Sequence, residues 1–414
     1  MKEKEKGLLR ELAKRYGEIA QQEINEKRRR RLIAVNDLTT GLRPGVWIDE
    51  IPWHEMDIDH QLTLICEDSF ARQMEQFFRR KLFQWKYFQA DMVVEPYYPI
   101  EKRFSTTGNG ISVKEETIRN DAKNGIASHA YQDALADERN LEKIRLPVVT
   151  ADGESDQKNL ELAEDVLGDI LPVRLIGAQV YCTIWDEIST LRGVEPCLYD
   201  MVDRPEYMHA IVQKLADCNM SYYSQLEALG LLEPHLSALH STPAYTSELP
   251  QKDFNGKARR KDVWFRGMAQ MLSTVSPQMF EEFELHYMRP LMECFGLVYY
   301  GCCEPLDNRI ELLKTVPNMR KIGASPWANV ESCAEQIGSG YVLARKPNPA
   351  HVALNFDAQV VEKETEETIR ACIRNNCPYE FVLKDISTVS YKPQNLIDWS
   401  KTVRETIDRY YGNE

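Results

Sequence analysis

The chain has 414 residues, a formal net charge of −13 and 43% hydrophobic residues. That acidic balance argues against nucleic acid or an anionic membrane as partner, and the apolar content suffices for a large core. No stretch reaches the about 18 apolar residues of a membrane span. The start, MKEKEKGLLRELAKRYG, lacks an apolar signal core, so a cytoplasmic protein with its ten cysteines reduced is expected.

From Gly7 to Ile33 the residues Leu8, Leu9, Leu12, Ala13, Tyr16, Ile19 and Ala20 recur at helical steps. The basic run Lys27–Arg31 reads as the solvated face of that helix. Residues 37–59 are turn-rich, with Arg43-Pro44-Gly45 and Ile51-Pro52-Trp53. Ser69 is a candidate N-cap for a helix through Phe88, and Met92–Val94 reads as a short buried strand. Residues 113–156 are polar and weakly periodic, an insertion in a larger fold. Leu175–Tyr181 reads as a strand. Arg204-Pro205 starts a helix to Leu229, and Leu232–Leu239 reads as a further strand before the loop His240–Pro250. Ser276-Pro277 starts a helix ending near Cys294.

Beyond that point strands and helices alternate. The strands Gly296–Tyr300, Met319–Gly323, Tyr341–Ala344 and Phe381–Leu383 are each followed by a helix: Pro305–Thr315, Ala328–Ile337, Ala358–Asn375 and Pro393–Tyr411. Short, continuously apolar strands are buried on both faces, as in a parallel sheet under helices. A doubly wound sheet and a barrel both satisfy this pattern, but the glycine fingerprint of dinucleotide-binding folds is absent. Each strand ends in polar or turn residues, where barrel active sites collect. The expected fold class is therefore α/β, a TIM (β/α)8 barrel. A helical N-terminal extension over 1–90 packs on a barrel over 91–414, which carries the insertion around 113–156.

The segment LVYYGCCEPL carries the clearest chemistry. Cys302, Cys303 and Glu304 follow an apolar strand, and two thiols with a carboxylate suit a soft divalent metal such as zinc. The bland alternative is that one thiol is a core residue and the other packs beneath a helix. His240, at another apparent strand end, is a candidate metal ligand or substrate contact, or simply a loop histidine. Glu304, Lys346 and Asp385 are candidate catalytic groups at strand ends, and Ser325 and Trp327 candidate substrate contacts. Trp185 and Trp264 suit a pocket wall or the core. A Cys303 nucleophile paired with His240 or His286 stays open, whereas no G-x-S-x-G supports a serine hydrolase.

The stretch from VSPQMFEEFELHYMRPLMECFGLVYYGCCEPLDN to ASPWANVESCAEQIGSGYVLARKPNPA, with the earlier helix DRPEYMHAIVQKLADC, resembles the uroporphyrinogen decarboxylase superfamily. The likeness runs roughly from Leu171 to Ala350. It implies a TIM barrel and either tetrapyrrole decarboxylation or cobalamin-linked methyl transfer. The methyltransferase branch binds zinc through a His-x-Cys motif at this strand end plus a distant Cys. Here the triplet is Gly301-Cys302-Cys303, so Cys303 matches the motif cysteine, glycine replaces the histidine and Cys302 is an added thiol. No cysteine stands near Lys346-Pro347, where the distant ligand would lie, so the family's set is not reproduced, and a rearranged set of Cys302 and Cys303 with His240 or Glu304 is expected. The arginine-rich MRQAGRY segment of the decarboxylases has no counterpart.

The leading expectation is a zinc-assisted methyltransferase. It would move a methyl group between a small methylated substrate and a separate corrinoid protein, since no Asp-x-His-x-x-Gly segment binds cobalt here. The alternatives are a metal-free decarboxylase and a non-catalytic corrinoid- or porphyrin-binding barrel. The residues leave a homodimer open.

Overall fold

In the computed structural model, residues 1–119, 124 and 127–413 are described. The parts of the expected insertion at 120–123 and 125–126 lie outside them. The centre is a seven-stranded parallel sheet. Its strands are β1 (Gly45–Ile48), β2 (Val180–Cys182), β3 (Trp264–Gly267), β4 (Leu297–Tyr300), β5 (Met319–Ala324), β6 (Val342–Arg345) and β7 (Tyr379–Leu383). They lie side by side in the order β1-β7-β6-β5-β4-β3-β2. Every neighbouring pair is parallel, for example Trp47 opposite Val382 and Phe265 opposite Val298. All C-terminal ends therefore open on one side.

The sheet curls around a buried polar plug. Residues Ala238–Leu239 and Thr242–Pro243 form a small antiparallel hairpin. From β5, Lys321 Nζ donates to Glu380 Oε1 of β7 at 2.8 Å, to Thr242 Oγ1 at 2.8 Å and to the Pro243 carbonyl at 2.9 Å. Thr242 also donates to Glu380. Both charges are buried, and each makes the other tolerable. Leu239 and Ala244 pack on Trp264, Tyr299 and Ala344 of the sheet.

Outside the sheet, a large core joins Val46, Phe265, Val298, Ile322, Leu343 and Phe381 to the surrounding helices. A second core holds helix α1 (Glu3–Ala20) against α3 (Ser69–Tyr87) and the helix Gly153–Leu167 through Leu9, Leu12, Phe78 and Val166. Asp91 ties the two parts together. It accepts the Val46 N–H at 2.7 Å, Arg31 of α2 (Glu23–Asn36) at 2.5 Å and Arg404 of the last helix at 3.1 Å.

The clearest agreement with expectation is the alternation from β4 onward, closing on the helix Pro393–Tyr411. Several expectations need correction. The N-terminal helix is two, broken at Gln21-Gln22. Asp68, not Ser69, caps α3, because its side chain accepts the Ala71 N–H. Met92–Val94 forms no strand; the nearby one is Tyr98–Glu101, paired with Val173–Ile176. The expected strand at 232–239 shrinks to Ala238–Leu239, and the helix after β4 to Ile310–Leu313. Strand β1 lies inside the expected helical extension, yet it pairs with β7 at the edge of the central sheet. Strand β3 was hidden because Arg266 interrupts its apolar run.

Candidate functional site

Polar groups converge above the C-terminal ends of β1, β4, β6 and β7. After Tyr300 the chain turns at Gly301, whose φ of +112° favours glycine. A Cβ there would lie 2.6 Å from Leu306 Cδ1. This turn delivers both neighbouring thiols to one region, which an unbroken strand would not. Cys302 Sγ and Cys303 Sγ are 3.6 Å apart, and Cys303 Sγ donates to Asp385 Oδ2 at 2.8 Å. These three donor atoms lie within 4.8 Å of one another.

The surroundings divide the two thiols sharply. The Cys303 thiol, then the His240 imidazole, the Arg266 guanidinium and the Lys346 ammonium hold the Cys302 thiol well below its usual range against the effect of burial. The same hydrogen bond, together with burial and the Asp385 charge, pushes Cys303 up. The surroundings therefore favour negative charge on Cys302 over Cys303.

Asp385 sits at φ +57° and is fixed by three contacts. Lys384 Nζ donates to its Oδ1 at 2.7 Å, Cys303 to its Oδ2, and its own N–H donates to Glu50 Oε2 at 2.8 Å. Burial opposes its charge, but Lys384 and Cys303 keep the carboxyl below its ordinary range. Burial raises Glu50, and the Asp385 charge adds to that. His240 Nε2 stands 3.6 Å from Glu50 Oε1, its ring centred 4.5 Å from that of Tyr181.

Beneath the thiols lies a layer of cations and acids. The Arg266 guanidinium is sandwiched between Tyr181 and Tyr299, about 5 Å from each ring centre (5.0 and 5.1 Å), and donates to the Gly301 carbonyl at 3.1 Å. Lys346 Nζ reaches across β5 to Tyr299 Oη at 2.7 Å. Gly323 leaves it room, since a Cβ there would lie 2.8 Å from that ammonium. Glu304 is buried and accepts the N–H of Cys302 at 2.9 Å and of Ala269 at 3.3 Å. Burial pushes Asp186 up to about 6 and Glu284 up to about 8, and the charge of Glu304 adds to both shifts.

Cys302, Cys303, Asp385, Lys346, Glu304 and His240 thus meet. Asp385, expected as a catalytic group, lies with the two thiols, while His240 stands beside Glu50 and helps hold the Cys302 thiol down. Glu304 fixes backbone. Ser325 is fully buried and its hydroxyl has no partner among the described residues. Trp327 is 72% exposed, outside the buried cluster. Trp185 and Trp264 are core, their indole N–H groups donating to the carbonyls of Phe283 and Ala244. Sequence reasoning missed Glu50, Arg266, Asp186 and Glu284. For Glu50 a signal existed: the run Val46-Trp47-Ile48 ends in Asp49-Glu50, the same pattern that marked the later strand ends.

The donor set suits zinc. Bonds of about 2.3 Å to two thiolates imply a sulfur–sulfur edge of about 3.8 Å in a tetrahedron, close to the separation found. A metal bound here would displace the thiol protons of the pair.

No known protein family and no curated protein matches this sequence. Among solved structures, a methyltransferase from Methanosarcina mazei is similar, with a TM-score of 0.50 and 10% identity, over 93% of this chain and 99% of that one. At that identity the likeness is one of fold: this chain has the mixed α/β architecture of that methyltransferase over nearly its whole length.

Proposed function

We propose that this protein is a methyltransferase of the uroporphyrinogen decarboxylase-like type. Its seven-stranded sheet would be the greater part of a (β/α)8 barrel, and a zinc centre at the barrel mouth would be held by Cys302, Cys303 and Asp385. The observation that carries this reading is the meeting of those three donor atoms at the C-terminal edge of a parallel sheet. The methyl group would pass between a small methylated substrate and a corrinoid carried by a separate protein.

Bound zinc supplies Lewis acidity toward the heteroatom that carries the methyl group, or toward an accepting thiol. The chain's own residues prepare the place. Arg266 and Lys346 favour the Cys302 thiolate, and Lys384 orients Asp385. Glu304 holds the backbone of Cys302, and the turn at Gly301 aims both thiols at one point. His240 stands beside Cys302 and Glu50, positioned to hold or pass a proton at the heteroatom.

The metal-free decarboxylase reading is weaker. A polycarboxylate needs several accessible cations, whereas Arg266, Lys346 and Lys384 are each 3% exposed or less. Metal analysis of the purified protein and of Cys303→Ser tests the proposal, followed by spectra on mixing with methylcob(III)alamin or cob(I)alamin. Zinc in the wild type, its loss in the variant and a cobalamin spectral change support it. A fully active, metal-free wild type would sink it.

A further inference from the structure

A cavity of about 750 Å³ adjoins the thiol cluster. Glu50 and Asp385, already part of the cluster, form some of its wall. Ile51, Ile386, Trp53 and Arg80 of α3 line it as well.

Arg80 differs from its neighbour on the helix. Arg79 donates to Glu75 at 2.7 Å and to the Gln61 carbonyl at 3.0 Å. Arg80 makes no hydrogen bond or ion pair among the described residues; its guanidinium only lies over the Trp53 ring, 5.1 Å from the centre. Trp53 is braced edge-on by Phe83, 6.1 Å away, so this wall is firm. Burial disfavours the Arg80 charge, and no carboxylate among the described residues offsets it. A partly desolvated guanidinium whose donors have no partner among the described residues is a candidate anion site. The fork geometry of arginine selects a carboxylate, and the flat indole wall with its aliphatic neighbours selects a flat, apolar body.

We propose that this cavity holds the substrate and that the substrate is a flat carboxylic acid, its carboxylate paired with Arg80. That the same molecule bears the methyl group rests on the function proposed above; that the cavity binds a flat carboxylate does not.

Calorimetric titration with benzoate and with benzamide, which share a shape and differ in charge, tests this on the full-length protein. Benzoate is expected to bind at least about tenfold more tightly. Arg80→Gln should abolish the preference, and Arg80→Lys should restore part of it. Circular dichroism checks that each variant is folded, and the comparison of the two probes on the wild type needs no variant. Equal binding of the two probes, binding of neither, or an intact preference in a folded Arg80→Gln overturns the proposal. Zinc content is read separately: a protein without zinc that still prefers benzoate removes the methyltransferase reading and leaves this site standing.

Discussion

Cys303 Sγ lies 2.8 Å from Asp385 Oδ2, although β5 and β6 separate their strands in the sheet. In a flat sheet three strand spacings would hold those strands roughly 14 Å apart. The curl of the sheet brings them together, and with them the thiol pair and the carboxylate. The first prediction follows from this contact. The neighbouring Cys303 thiol is the largest of the influences that hold the Cys302 titration down. Cys303→Ala removes that neighbour, so the Cys302 titration should move upward in pH. Ultraviolet thiolate absorbance read against pH measures it, and an unmoved titration would contradict the coupling of the two thiols.

The turn at Gly301 has no room for a side chain. With φ at +112° and Leu306 Cδ1 at 2.6 Å from a virtual Cβ, no side chain fits without strain. Gly301→His is therefore expected to destabilise the fold by about 1–3 kcal/mol and to lower metal uptake. Urea melts and metal analysis check both. A stable variant that binds more zinc would show that the turn can relax.

The Lys321–Glu380 pair organises the interior below the site. Lys321→Met leaves a buried carboxylate unpaired and should cost about 3–5 kcal/mol, while Lys321→Met with Glu380→Leu should cost less than the single change. Chemical denaturation of the three proteins decides the matter. A double variant weaker than the single one would refute the assignment of the loss to an orphaned charge.

Glu284 predicts a pH dependence of stability. Burial pushes its carboxyl from 4.5 up to about 8. The folded state then keeps a proton that the unfolded chain releases. The stability this contributes is complete below about pH 4.5 and is lost as pH rises toward about 8, on the order of a few kcal/mol in all. In Glu284→Gln that slope should flatten between pH 5 and 8, in thermal melts taken at each pH. An unchanged slope would falsify the role given to this carboxyl.

Much of the framework was legible in residue order. Strands β4 to β7 are short runs of buried apolar residues, and helix spacing is clear between them. Strands β1 and β3 were not legible. The first is four residues long inside a turn-rich stretch, and the second carries a buried arginine whose partners, Tyr181 and Tyr299, come from two other strands. Among the site residues, the adjacent thiols and Asp385 stood at recognisable strand ends. Their grouping into one set was not readable, because 82 residues separate Cys303 from Asp385 along the chain.

The sequence by itself determined the α/β alternation, the strand ends and the candidate chemistry, since hydrophobic period and turn residues are local properties. Only the tertiary structure decided which of those ends meet. Sheet curl, the Gly301 turn and the buried Lys321–Glu380 plug act between residues far apart in the chain, so they alone set which carboxylate faces the thiols.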